Sequence, residues 1–554
     1  MLFHHKLTLW PSSSFASVSD LFACSVRTNG GEIWWHKMRS RQKKSVSIVW
    51  FKRDLRSEMN HALLLGVGSD WPVLPLYIVE PEYWLQLDAS YRHYQFISEC
   101  LVELRDDMTR IGQPLIVRVG AARDVLDQLS AKFRIHQIFS HEETGNAWTF
   151  ERDKAVRAWC REKGVLWIEV WQNGVLRGLK NRDGWARNWS QRMQAPVADG
   201  PHSLEPLPNL KPGQIPTARD LGMKEDGCTE RQQGGRRAGL ESLKSFLTCR
   251  GLNYRSEMSS PVTGFAACSR ISPYLAFGAL SLQEVAQATA KQRLVVKARA
   301  GWGGAWRGSL SSFEGRLHWH CHFMQKLESQ PSLEFRALHP AYNDIRTRSR
   351  ASQLLSVWQS GETGLPFVDA CMRCLITTGW MNFRMRAMLV AVASYHLWLD
   401  WRDTGAFLAR LFTDYEPGIH WSQMQMQSGT TGINTVRIYN PVKQGLDQDP
   451  AGKFIRRWVP ELGRVPLDFL HQPWLWQDAG SILDKIYPFP VIDHLDAAKA
   501  AREKIWAVRR QPGHRDVANA IQVKHGSRRS GIKRVSSRQK VKPTALTKQL
   551  TFDL

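Results

Sequence analysis

Two arginines sit in a stretch whose other residues are almost all apolar. Residues 379–402 read GWMNFRMRAMLVAVASYHLWLDWR, with Arg384 and Arg386 as cations in an otherwise apolar helical run. A buried guanidinium needs an anionic partner, because an unpaired charge in a core is very costly. Asp414 and Glu416 form a nearby acid cluster that could supply it. An ordinary structural salt bridge answers the same pattern. The 24 Trp have a bland role as core contacts and sharper roles as stacking platforms or electron relays. Cys371 and Cys374 form a C-x-x-C inside a helical stretch. That spacing reads as packing, because a cluster needs four thiolates. His318 and His322 stand at i, i+4, the spacing of a zinc pair, but no H-E-x-x-H and no third ligand accompanies them. A histidine lining a substrate pocket fits better.

These residues need elements to position them. From Val46 to Trp171 the chain alternates. Apolar runs at Val46–Trp50, Val73–Val79, Leu115–Val119, Gln137–Ser140 and Val165–Trp171 read as buried strands. Amphipathic stretches at Tyr91–Ile111, Ala121–Phe133 and Ala147–Lys163 separate them. Such alternation implies a doubly wound parallel sheet with helices on both faces. Neither G-x-G-x-x-G nor G-x-x-x-x-G-K-[ST] occurs there, so the two usual phosphate loops have no support. A Pro- and Gly-rich stretch over 195–240 reads as a connection between domains. Beyond it the pattern turns helical, at 240–249, 273–292, 311–327, 351–360, 365–378, 381–399, 403–412 and 452–458. The expected organisation is an irregular basic leader (1–45), an α/β domain (46–180), a linker (181–240), an all-α domain (241–510) and a basic disordered tail (511–554).

The formal net charge of +24 favours a polyanionic partner, nucleic acid before anionic membrane. The excess survives without the ends: residues 46–523 carry a net +11. No run of 18 apolar residues appears, which excludes a spanning helix. Nine cysteines in 554 residues read as reduced thiols of a cytoplasmic protein. Met38, ahead of the basic run Arg39–Lys44, reads as the true start, or else the leader is unstructured; a targeting peptide fits less well.

Four segments carry a resemblance, in one order along the chain. They are VWFKRDLR (49–56), SRISPYLAFGALS (269–281), VWQSGETGLPFVDACMRCLITTGWMNFRMR (357–386) and RIYNPVKQGLDQDPAGKFIRRWVPEL (437–462). Together they resemble the photolyase/cryptochrome flavoproteins over about residues 46–510. The resemblance implies an α/β domain that can hold an antenna pigment and a helical domain that clasps bent FAD. It implies light-driven splitting of pyrimidine dimers in DNA, or, as the alternative, blue-light reception without repair. It also implies a monomer.

Carried over by position, Tyr254 and the run Cys268, Ser269, Arg270, Ile271 and Ser272 fall on flavin contacts. Arg316, His320, Phe323, Arg386, Asp414, Tyr415 and Glu416 are placed around the same cofactor. His420 falls opposite the flavin N5 atom. Trp319 and Trp380 match the aromatics of the dimer pocket, and Arg384 and Gln444 match positions near DNA. Trp401 matches the middle member of the tryptophan relay.

Five positions depart from the pattern. Arg316 stands where dimer-repairing members carry Glu, and Phe383 where a pocket Asn is usual, with Asn382 adjacent. Met424 and Arg348 replace the inner and outer relay members, leaving Trp421, Trp398 or Trp358 as substitutes. Met59 precedes Asn60 where an Asp is usual. These changes point to a divergent branch.

Overall fold

A computed structural model describes residues 43–196, 199–298, 303–349 and 351–527. Met38 and most of the expected leader, and the basic stretch from Arg528 onward, lie outside the described residues. Strands β1 (Lys44–Phe51), β2 (Val73–Val79), β3 (Ile116–Val119), β4 (Phe133–His141) and β5 (Leu166–Val170) form one sheet. Their order is β3-β2-β1-β4-β5, and every pairing is parallel. Both faces of the sheet are covered, which is why β2 reads VLPLYIV without polar alternation. On one face Val46, Ile48, Trp50, Leu74 and Leu76 pack with Val125, Leu129, Val156 and Trp159 of two crossover helices. On the other, Val49, Phe51, Tyr77 and Val79 join Phe96 and Leu104 of the helix Tyr91–Arg110. That cluster runs on without a break into Phe246, Tyr274, Phe277 and Phe313 of the helical part. A separate core of Leu375, Met385, Met388, Leu408, Trp421 and Phe454 holds the helices beyond residue 350.

The strand order reverses between β1 and β4, where a doubly wound sheet ordinarily offers a ligand crevice beyond its carboxyl ends. Charged side chains fill that place here. Lys52 lies 3.2 Å from Asp153 and 3.8 Å from Glu143. Arg152 pairs with Glu80 at 3.3 Å and Glu143 at 2.6 Å, with its guanidinium 5.0 Å from the Trp50 ring.

The structure departs from the sequence expectations at several places. The expected helix 273–292 is two, Ser272–Ala276 and Leu282–Ala298. Gly278 breaks it with φ +67°, and a Cβ there would strike the Arg53 carbonyl oxygen at the end of β1. The expected helix 381–399 ends at Ala391 and continues as a π turn over Val392–His396, with Trp398 at φ +54°. A helix, Trp185–Gln194, stands inside the expected linker, buried through Trp185, Trp189 and Met193 at i, i+4, i+8. Another, His514–His525, occupies part of the expected disordered tail. His514, Ile521 and His525 anchor it, and low overall hydrophobicity hid it. Helices Pro417–Gln427, Pro441–Gln448 and His494–Arg509 also went unread. No helix among the described residues is long and apolar enough to cross a membrane.

Candidate active site

The site is a cavity of about 320 Å³ in the helical part. Four pieces of chain build its walls. The long helix Gly304–Ser329 supplies Arg316, Trp319, His320 and Phe323. The turn ahead of helix Ser272–Ala276 supplies Cys268, Ser269, Arg270 and Ser272. Residues 380–390 supply Trp380, Asn382, Arg384 and Arg386, and residues 412–427 supply Asp414, Tyr415, Glu416 and His420. Tyr254 closes one side.

Arg386 and Asp414 face each other in bidentate geometry, both N–H donors lying 2.9 Å from the carboxylate oxygens. The Arg386 Nε also donates to the Met381 carbonyl at 2.6 Å. Burial pushes the Asp414 carboxyl up, but the Arg386 charge and hydrogen bonds outweigh it and hold the group below its ordinary range. Glu416 does not share this arginine. It faces Arg53, which reaches in from the end of β1 at 3.4 Å and donates to the Tyr415 and Ala276 carbonyls at 2.8 Å each. Burial drives the Glu416 carboxyl up to about 7, against the opposing pull of Arg53. Burial also lowers His420 and His320 to about 4, so both imidazoles are neutral near pH 7.

Arg270 has φ +60° and lies 4.2 Å from the Trp380 ring, while its Nε donates to Gln232 at 3.0 Å. Burial lowers its pKa to about 10. Trp319 stacks on Phe323 with centroids 5.5 Å apart, so Trp319 and Trp380 give one cavity two aromatic walls.

Three expected site residues do not line the cavity. Ile271 is buried in the neighbouring core, where its side chain packs with Tyr274 and Phe277. Gln444 sits on helix Pro441–Gln448, off the cavity wall. Trp401 lies behind the wall, 6.0 Å from Trp421 in edge-to-face contact. Trp421 in turn meets His420 at 5.0 Å, and His420 does line the cavity. Gly405 makes room for this: a Cβ there would lie 2.7 Å from the Trp421 ring. Of the other substitute tryptophans, Trp358 packs on Phe407 and Trp398 lies against Arg346 and Lys504. His320 faces the cavity, whereas His318 and His322 turn to Trp185. Cys371 and Cys374 are buried in their helix, with the Cys374 thiol raised to about 12 by burial.

Sequence reasoning missed Arg53, Met258, Ile419 and Gln423 as wall or neighbouring residues. Only Arg53 carried a signal, its place inside VWFKRDLR.

Comparison with known proteins decides what the cavity belongs to. The family described as "FAD binding domain of DNA photolyase" matches residues 313–507, and that described as "DNA photolyase" matches residues 47–180. A deoxyribodipyrimidine photo-lyase of Alkalihalophilus pseudofirmus is 30% identical over 82% of this chain and 97% of its own. The chain belongs to the photolyase/cryptochrome family. A cryptochrome DASH of Gloeobacter violaceus is 25% identical, covering 84% of this chain and 97% of its own. The crystal structure of a bacterial class III photolyase from Agrobacterium tumefaciens superposes with a TM-score of 0.74 at 25% identity. It covers 86% of this chain and all of that one.

FAD is therefore the cofactor to test against the cavity. Four polar atoms of its walls are buried without a protein partner: Asn382 Oδ1, His320 Nδ1, Arg384 Nε and Glu416 Oε1. Buried polar atoms are costly unless bonded, so this wall is built for a polar guest. The mixture of such atoms with aromatic and aliphatic walls fits a flavin nucleotide.

Proposed function

We propose that this photolyase-family protein is a light-driven, FAD-dependent DNA photolyase that splits pyrimidine dimers in UV-damaged DNA. One observation carries the reading: Trp319, Trp380 and Arg384 share a single cavity with Arg386–Asp414 and the Cys268–Ser272 turn. A lesion on the aromatic walls would thus lie against the cofactor. Reduced FAD, when bound, supplies blue-light absorption and an electron that can be lent and recovered. The protein's part is positional. Asp414 and Arg386 fix one wall, neutral His420 faces the cofactor, and Arg384 meets the DNA. Trp319 and Trp380 receive bases taken out of the duplex, which is cheapest where stacking is already broken. The net charge of +24 supplies sequence-independent phosphate affinity.

Trp401 and Trp421 make the electron path that replaces the relay interrupted at Met424. An antenna pigment held by the α/β part belongs to this reading; Lys52, Arg152 and their acids stand at the sheet's switch point. The protein works as a monomer in the cytoplasm.

A second reading, blue-light reception without repair, is favoured by Arg316. It lines the cavity where the repair enzymes carry Glu. Purified protein should show flavin bands and, once reduced, should remove dimers from an oligonucleotide under blue light. Flavin bands with no repair would favour the second reading.

A further inference from the structure

Three cavities lie in file from the flavin pocket to the junction of the α/β and helical parts. The pocket shares Ala276, His320 and Glu416 with a small chamber of about 30 Å³. The chamber shares Glu143 and Thr144 with a cleft of about 170 Å³ that opens between residues 143–157 and 327–334. The chamber's volume suits about two waters, and its lining mixes polar groups with Leu275, Leu280, Leu282 and Met324. Arg53, Glu142, Glu143, Gln172 and Asn173 line it. Two buried atoms on its boundary with the pocket, Glu416 Oε1 and His320 Nδ1, have no protein partner. At the outer neck the Thr144 hydroxyl donates to Glu328 at 2.7 Å.

We propose that this file is a proton conduit, in which Glu416 passes protons between the flavin pocket and water in the cleft beside Glu143. The bound cofactor would then exchange protons through the back of the pocket while DNA covers the front. The inference rests on FAD occupying the main cavity. In one passage a proton leaves the Glu416 carboxyl for the pocket, and a proton from cleft water replaces it. Only O–H bonds break and form along the file, and the electron comes separately from an added chemical reductant. The groups facing Glu416 suit a shuttle. Arg53 holds one oxygen, Glu143 opposes its ionisation, and His320, neutral near pH 7, stands across the shared wall. A carboxyl titrating at about 7 both gives and takes protons at neutral pH.

The test measures proton uptake with a pH-indicator dye as FAD-loaded protein is reduced, with and without saturating undamaged duplex. Wild type should take up protons at the same rate with DNA bound. Glu416→Gln should slow uptake roughly 100-fold. Thr144→Leu, which narrows the outer neck and touches no pocket wall, should slow it only when DNA is bound. In D2O the carboxyl infrared band lost in Glu416→Gln should exchange more slowly in Thr144→Leu than in wild type, a readout that needs no turnover. Wild-type uptake abolished by DNA, or unchanged in Thr144→Leu with DNA bound, would overturn the conduit while FAD stays bound. Wild-type protein that takes up no FAD would overturn the functional reading, and the conduit with it.

Discussion

Asp414 and Glu416 are two residues apart, yet their environments push them in opposite directions. Asp414 sits in the fork of Arg386 and is held ionised; Glu416 has one arginine contact and one unpartnered oxygen. Removing Asp414 leaves Arg386 partly buried and unpaired, at a cost of about 3 kcal/mol. Asp414→Ala should therefore lose most of its bound flavin, read as the visible-to-ultraviolet absorbance ratio. Unchanged flavin content would show that this acid does not hold the site. Glu416 gives a pH signature of definite sign. Its folded pKa is raised from 4.5 to about 7, so its contribution to stability is fully present below pH 4.5 and lost as pH rises through 7. The shift corresponds to about 3 kcal/mol. Thermal unfolding should show a larger fall in Tm from pH 5 to pH 8 for wild type than for Glu416→Gln. Equal falls would mean that Glu416 titrates normally.

At the scale of elements, most of the cavity's side chains stand on helices the sequence revealed, but His420 stands on one it did not. Strand β2 and helix Ala147–Lys163 were legible to the residue, because a two-sided apolar run and an Asn146 cap with Gly164 at the end leave little choice. Helix Pro417–Gln427 was not. Its buried positions include His420, Gln425 and Gln427 beside Trp421 and Met424, so no apolar stripe betrays it. Local rules fail where a helix turns polar groups toward a binding cavity. That the arginines of the apolar helix need an acid from Asp414 or Glu416 was legible in the residues; the pairing of Arg386 with Asp414 came from the resemblance. Arg53 was not legible, because only tertiary folding brings the end of β1 onto the Tyr415 carbonyl. The proposed electron path spans two helices, with Trp401 at the start of Trp401–Leu411 and Trp421 on Pro417–Gln427. With Trp401 edge-on to Trp421, Trp401→Phe should slow photoreduction of oxidised flavin severalfold while leaving repair by pre-reduced protein nearly intact. Photoreduction brings an electron in from outside, whereas repair lends one and recovers it. Transient absorption decides, and a wild-type photoreduction rate in the variant would make Trp401 a packing residue.

For the whole molecule, the proposed function divides the work of binding between positive charge and the cavity walled by Trp319 and Trp380. Phosphate contacts release counterions, and each contributes about −0.9 to the slope of log K against log salt. Residues 528–554 carry eight Lys or Arg and one Asp. Truncation after Ser527 keeps the helix His514–His525 and should weaken binding to undamaged duplex and flatten the salt slope. The preference for damaged DNA should remain, because the aromatic walls are untouched. The central claim, that one cavity joins a lesion to reduced FAD, has a direct measurement. FAD-loaded protein is chemically reduced, mixed with an oligonucleotide carrying one cyclobutane dimer, and illuminated with blue light. The account predicts that the dimer disappears in the light and persists in the dark, with Trp380→Ala slowing its loss. Persistence of the dimer in the light, with flavin bound and reduced, would contradict it.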